Sequence, residues 1–240
     1  MTTSFPRPVG NVIVTGGASG LGAAVVDAVR EAGGRPAVID RDRPADRDGA
    51  AVPAVPAVQA DVSSRAEVEQ AVAELATELG TIDAIVTAAG IDRCGRLDEV
   101  DAVEWERVIG VNLLGTVSAV RAALPHIESV HGRVVIVASS LALRGVSDAT
   151  AYCASKFGVL GFARALAAET SGRLGLTTII PAGMRTAFFD DRPDQYKPGP
   201  DAQLNDPSEA ARAIVFALQQ PEGCEVRELV ICPEQEPSWP

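Results

Sequence analysis

Short β-branched apolar runs recur along this chain, and between them lie longer stretches whose apolar positions return every three or four residues. The runs are Asn11–Thr15, Pro36–Asp40, a short one ending at Asp61–Val62, Ile82–Val86, Val134–Ala138, Leu176–Ile180 and Arg227–Cys232. They are continuously apolar rather than alternating, which predicts parallel strands buried on both faces. Helical periodicity runs from the glycines after Thr15 to Ala32, from Ser63 and Ser64 to Gly80, from Glu104 to Ser129, from Tyr152 through Arg164, and from Ser208 to Gln219. Strands alternating with helices predict an α/β domain, a doubly wound parallel sheet of about seven strands. With 240 residues, 47% hydrophobic and 22% charged, residues 1–240 are expected to form a single domain. Residues 41–56 turn from charged to Pro-, Ala- and Val-rich and read as an extended connection without chemistry. Residues 187–206, interrupted by Pro193, Pro198 and Pro200, form a loop of the length used for lids and substrate binding.

Charge narrows the partners. A formal net charge of -11, from 21 Lys and Arg against 32 Asp and Glu, supplies no basic footprint for nucleic acid or an anionic membrane, so a small molecule is the expected partner. No run of ~18 apolar residues suggests a membrane span. Cys94, Cys153, Cys224 and Cys232 are far apart, with no C-x-x-C pair and no signal-peptide pattern before them, which reads as a cytoplasmic protein with free thiols. Cys153 adjoins Tyr152 but faces another side of the helix, so it is read as packing. His126 and His131 have no carboxylate or cysteine cluster beside them; no metal is expected, and both are read as surface or helix-capping residues.

Two constellations carry chemistry. Gly16-Gly-Ala-Ser-Gly-Leu-Gly22 joins the first strand to the first helix, and Gly16, Ser19, Gly20, Leu21 and Gly22 are the candidates there. Glycines at such a junction give a tight turn, close backbone approach and free N–H groups at the helix's positive end, as a dinucleotide phosphate requires. Asp40 ends the second strand about twenty residues on, where a carboxylate binds adenosine ribose hydroxyls or simply shapes a turn. Asp61 precedes Ser63 and Ser64 and on local grounds is a candidate helix cap. The second constellation is Ser139, at the end of an apolar strand, with Tyr152-Cys-Ala-Ser-Lys156. Residues four apart share a helix face, and a fixed cation near a phenol lowers its pKa toward working pH, making Tyr152 a candidate acid and base. Ser140 substitutes for Ser139 if the strand register slips by one.

The T-G-x-x-x-G-x-G loop with Ser139 and Tyr152-x-x-x-Lys156 resembles the short-chain dehydrogenases/reductases, and the resemblance covers nearly the whole chain. It implies a Rossmann fold and an NAD(P)-dependent oxidoreductase that interconverts a secondary alcohol and a ketone. Ser139 then bonds the substrate oxygen, Tyr152 exchanges the proton, and Lys156 lowers the Tyr152 pKa and holds the nicotinamide ribose. Further roles follow from the resemblance: Asp61 and Val62 flank the adenine, Ala89 and Gly90 approach the cofactor, and Asn112, otherwise a core amide, holds a water through its carbonyl. Pro181, Met184 and Thr186 belong to the turn that binds the nicotinamide carboxamide. Asp40 favours NAD, whereas Arg41 is placed where NADP-using relatives hold the phosphate.

Departures from the family's pattern are Thr87-Ala88 in place of Asn-Asn, Ala182 in place of a glycine, and the tail after Cys232. A homotetramer or homodimer is expected, with the tail and Trp239 reaching a neighbour. The alternative function is a non-catalytic NAD(H)-sensing or scaffold protein, which would need the glycine loop but not Tyr152.

Overall fold

In the computed structural model, which describes residues 6–42 and 55–236, seven parallel strands form one sheet in the order β3-β2-β1-β4-β5-β6-β7. The strands are β1 (Asn11–Thr15), β2 (Arg35–Asp40), β3 (Ala57–Gln59), β4 (Ala84–Thr87), β5 (Arg133–Val137), β6 (Gly175–Pro181) and β7 (Glu228–Ile231). The order reverses between β1 and β4, whose register pairs Val12 with Ala84 and Thr15 with Thr87. Ligands of open parallel sheets bind at such a reversal, beyond the carboxyl ends of the strands.

Helices cover both faces. Successive strand side chains point to opposite sides, so Val12 and Val14 join Val25, Val29 and Ile214 in one core, while Ile13 and Ile85 join Leu75, Ile127 and Val159 in the other. The first core packs α1 (Gly20–Glu31) and α6 (Pro207–Leu218); the second packs α2 (Arg65–Leu79), α4 (Gly115–Ser129) and α5 (Thr150–Glu169). This two-sided burial is why the strands are apolar throughout. The start of α6 is set by Asp206, which accepts from the Ser208 amide, with Glu209 reaching back to the Asp206 amide and Pro207 at the first helical position.

Three expectations need correction. The third strand ends at Gln59 rather than at Val62, because the Asp61 carboxylate takes the Ser63 amide at 2.8 Å and turns the chain into α2. That strand pairs Ala57 and Val58 with Val38 and Ile39; of the stretch read as a connection, residues 43–54 lie outside the described residues. The long helix from Glu104 is not continuous either: α3 (Ala102–Ile109) passes through a wider π turn, Gly110–Leu114, before α4. Finally, Ala102–Ser129 is long and apolar enough by composition to cross a membrane, yet Ala119, Ala123 and Ile127 on it are buried in the core, as in a core helix.

Candidate active site

A cavity of about 460 Å³ opens at the carboxyl ends of the strands, on the switch point. Every residue singled out for cofactor binding lines it, as do Ser139 and Ser140; Asn112 lies behind its wall. At one end, β1 runs into the glycine loop. A Cβ on Gly16, which has φ 71°, would fall 2.7 Å from the backbone of Ala89, and one on Gly22 would strike the Gly16 carbonyl. Only glycine lets these three segments meet. Ser19 starts α1 without spending its hydroxyl on a cap, which leaves the first amides of the helix facing the cavity, a site suited to a pyrophosphate.

Asp40 is tied into this loop: its carboxylate accepts the Ala18 amide at 2.8 Å and the Asp42 amide at 3.0 Å. The turn-shaping reading is realised in this side chain, which also stands on the cavity wall. The Arg41 side chain is largely exposed and lies 3.7 Å from Asp42. Asp61 does not cap α2. Ser64 does, accepting the Glu67 amide, while Asp61 binds both the amide and the hydroxyl of Ser63 and its own amide donates to Glu67. Burial pushes the Asp61 carboxyl up, but the Ser63 hydrogen bonds outweigh it and hold the group below the usual carboxylate range.

Where Thr87 and Ala88 replace two amides, the bracing is done by Thr15. Its carbonyl takes the Ala88 amide at 3.1 Å and its hydroxyl the Ala89 amide at 3.4 Å. The Thr87 hydroxyl is buried with no hydrogen-bond partner among the described residues.

Past β5, Ser139 opens a 3-10 turn, and its hydroxyl bonds the Tyr152 phenol across the cavity wall. One turn further along α5, the buried Lys156 ammonium donates to the Val137 carbonyl at 3.0 Å and lies 5.7 Å from the centre of the Tyr152 ring. The expected lowering of the phenol's pKa is not found. Burial pushes it up to about 12, against the Ser139 bond that pulls it down. Burial likewise pulls Lys156 down to about 8, since nothing anionic compensates for its desolvation.

The lysine thus carries a stability cost. Its ordinary value is 10.5, so between pH 8 and 10.5 the unfolded chain holds more protons than the folded one, and stability rises with pH across that window. At 1.36 kcal/mol per pKa unit the cost below pH 8 is at most ~3 kcal/mol. Lys156→Met is expected to melt higher than the parent at pH 7, and the gain should shrink by pH 10; thermal unfolding at the two pH values checks it.

The Asn112 side chain is fully used within the core. It accepts the Ile91 amide at 2.8 Å and donates to the Ile91 carbonyl at 2.9 Å and to Ser155 Oγ at 3.0 Å. Ser155 in turn donates to the Tyr152 carbonyl at 2.7 Å. The Asn112 carbonyl accepts the Thr116 hydroxyl at 2.8 Å. The π turn is what drives this amide inward, and it links the loop after β4 to the helix that carries Tyr152 and Lys156.

Beyond β6, Ala182 adopts a negative φ and tolerates its side chain where glycine was expected. Thr186 accepts the Phe188 amide and starts a short turn, Ala187–Phe189. Sequence reasoning singled out the 187–206 loop but missed the residues that matter within it. Phe188 lies edge-on to Tyr152 at 5.8 Å, and Arg192 stacks 4.6 Å from the centre of Phe189 while bonding Asp92 at 2.6 Å. An isolated arginine in a Pro-rich loop and an aspartate sixty positions before Tyr152 share no local pattern. Four unpaired cysteines remain among the described residues, and no group of side chains there is placed to hold a metal ion.

The short chain dehydrogenase family model matches residues 10–197. The chain belongs to that family. It is 35% identical over 217 residues to the D-threitol dehydrogenase of Mycolicibacterium smegmatis, covering 85% of this chain and 84% of that one. It is 32% identical to the hydroxy(phenyl)methylsuccinyl-CoA dehydrogenase subunit BbsD of Thauera aromatica, covering 88% and 90%. Among solved structures, the 3-ketoacyl-(acyl-carrier-protein) reductase of Brucella melitensis complexed with NADH superposes with a TM-score of 0.82 at 26% identity, covering 92% of this chain and 96% of that one. As a short-chain dehydrogenase, the chain is an oxidoreductase acting on alcohol or ketone groups.

Proposed function

We propose that this enzyme interconverts a secondary alcohol and a ketone with NAD(H), and that Tyr152 is its proton donor and acceptor. The observation that carries the reading is the Ser139–Tyr152 hydroxyl pair on the wall of the same cavity as the glycine loop. The loop fits a dinucleotide, because Gly16 and Gly22 leave room that any Cβ would fill. When bound, the nicotinamide supplies or accepts the hydride. The protein does the rest: Ser139 holds the substrate oxygen, Tyr152 gives it a proton or takes one, and Lys156 holds the nicotinamide ribose. Pro181, Met184 and Thr186 hold the carboxamide, Asp40 the adenosine ribose, and Asp61 and Val62 the adenine.

A phenol pushed up to about 12 keeps its proton at neutral pH, so it has one to give and is scarce as a base. Ketone reduction is therefore favoured at pH 7, and alcohol oxidation climbs with pH. A panel of secondary alcohols and ketones followed at 340 nm tests the reading. Turnover of at least one pair, with reduction near pH 7 and oxidation rising toward pH 10, is expected; no turnover across the panel with either cofactor would count against it.

The two relatives are named for a polyol and for an aryl carbinol, which supports alcohol chemistry without choosing between them. We also propose a homotetramer: Leu114 and Phe157 expose 55% and 46% of their surface on one side, and Phe216 and Val230 expose 48% and 36% on α6 and β7. Two apolar patches on separate elements suit two two-fold interfaces. Light scattering should give about four times the 24.9 kDa chain mass. The unpaired cysteines among the described residues support a cytoplasmic setting.

A further inference from the structure

At the catalytic end of the cavity the wall carries two cations, Lys156 and Arg192. Lys156 is bonded to the Val137 carbonyl, and Arg192 is engaged as well. One of its terminal nitrogens meets Asp92 at 2.6 Å, with the Asp92 side chain only 3% exposed. The other donates to the Tyr196 carbonyl at 3.3 Å, and the remaining Nε has no acceptor among the described residues. The guanidinium carbon instead lies 4.6 Å and 5.4 Å from the centres of Phe189 and Phe188, so ring faces are its other neighbours. Of the two rings, Phe188 lies edge-on to Tyr152 at 5.8 Å, and Phe189 lies edge-on to Phe188 at 5.6 Å.

We propose that Arg192 is a specificity-determining latch, whose buried ion pair with Asp92 clamps the Phe188–Phe189 wall over Tyr152 and commits the site to a neutral, flat, apolar ketone or its carbinol. The inference rests on the oxidoreductase reading for its substrate and on the geometry alone for the latch. Asp92 is a rigid anchor, since the preceding residue, Ile91, has both backbone groups held by Asn112 at 2.8 Å and 2.9 Å. The loop is thereby tied to the same amide that positions Tyr152 through Ser155.

An anion receptor is the obvious rival role for an arginine in a substrate pocket. Here a carboxylate is already supplied from within: a second anion would meet Asp92, and both terminal nitrogens of the guanidinium are engaged, one by Asp92 and one by the Tyr196 carbonyl. What faces the substrate is the edge or face of a phenylalanine, which suits a flat ring at 4.5–7 Å between centroids. Arg192 is a positioning residue in this account, acting through the rings.

The test uses the full chain and three variants, Arg192→Met, Asp92→Asn and the double variant. Amide hydrogen exchange over residues 186–197 reads the latch without any turnover. Arg192→Met strands a buried carboxylate and is expected to speed exchange there about tenfold or more, whereas the double variant, with no orphaned charge, recovers most of the protection. If Arg192→Met does not fold, Asp92→Asn alone should shift exchange in the same direction by less. Unchanged exchange in all three overturns the latch.

The second arm compares kcat/KM for an aryl methyl ketone, a small aliphatic ketone and a 2-keto acid. The parent is expected to favour the aryl ketone over the keto acid by about 10²-fold, and Arg192→Met to lose that preference mainly through the KM of the aryl ketone. A parent that prefers the keto acid, with the preference abolished in Arg192→Met, would make Arg192 an anion receptor and overturn the assignment. Failure of all three ketones in the parent would count against the oxidoreductase reading, while the exchange result still decides the latch.

Discussion

Tyr152→Phe is expected to bind NADH as the parent does and to lose between about 10² and 10⁴ of its turnover, the range for removing a positioned acid or base. The substitution takes away one oxygen. The Phe188 edge contact at 5.8 Å and the Lys156 bond to Val137 involve no phenol oxygen, so the wall and the lysine should stay in place. Only the Ser139 partner is lost. Cofactor titration by fluorescence and kcat by absorbance separate the two effects. A variant that keeps more than a tenth of the parent's kcat would remove Tyr152 from the proton path.

The second large effect concerns the cofactor. NADH should bind ten- to a hundredfold more tightly than NADPH, because Asp40, proposed to hold the adenosine ribose, stands on the cavity wall and a 2′-phosphate carries a charge near -2. At ~5 Å and an effective dielectric of ~20 the repulsion is several kcal/mol before screening, and ~1 to 3 kcal/mol is expected to survive, at ~1.4 kcal/mol per decade. Arg41 opposes this only weakly. Its guanidinium is exposed and 3.7 Å from Asp42, a second carboxylate on the same wall, and the glycine loop offers no other cation. Asp40→Ser removes the repulsion and also the bond to the Ala18 amide, so both cofactors should weaken while the ratio between them closes. Equal or tighter NADPH binding by the parent would show that Arg41 dominates.

Local chemistry explains what was legible before the structure. The sheet could be read because parallel strands buried on both faces leave uninterrupted apolar runs, and β1 and β5 sit within a residue of their expected bounds. The glycine loop and Tyr152-x-x-x-Lys156 could be read because each is a short segment whose spacing is its geometry. The π turn at Asn112 was hidden, since one extra residue in a helical turn barely disturbs apolar periodicity. The upward shift of Tyr152 was hidden for a different reason: spacing reports that a cation is near, whereas desolvation depends on the whole packed surroundings. Arg192 and Asp92 lie a hundred positions apart, and only tertiary structure brings them together.

The central claim is that one cavity brings a nicotinamide cofactor and a carbonyl together and that Tyr152 moves the proton. Deuterium transfer tests it most directly. NADH carrying deuterium at the transferable C4 position is mixed with the best ketone of the panel, and the product alcohol is weighed by mass spectrometry. The account predicts one deuterium on the carbinol carbon with the parent enzyme, and formation of the same labelled alcohol slowed at least about a hundredfold in Tyr152→Phe. Cofactor oxidation without label on that carbon, or equal rates in parent and variant, would contradict it.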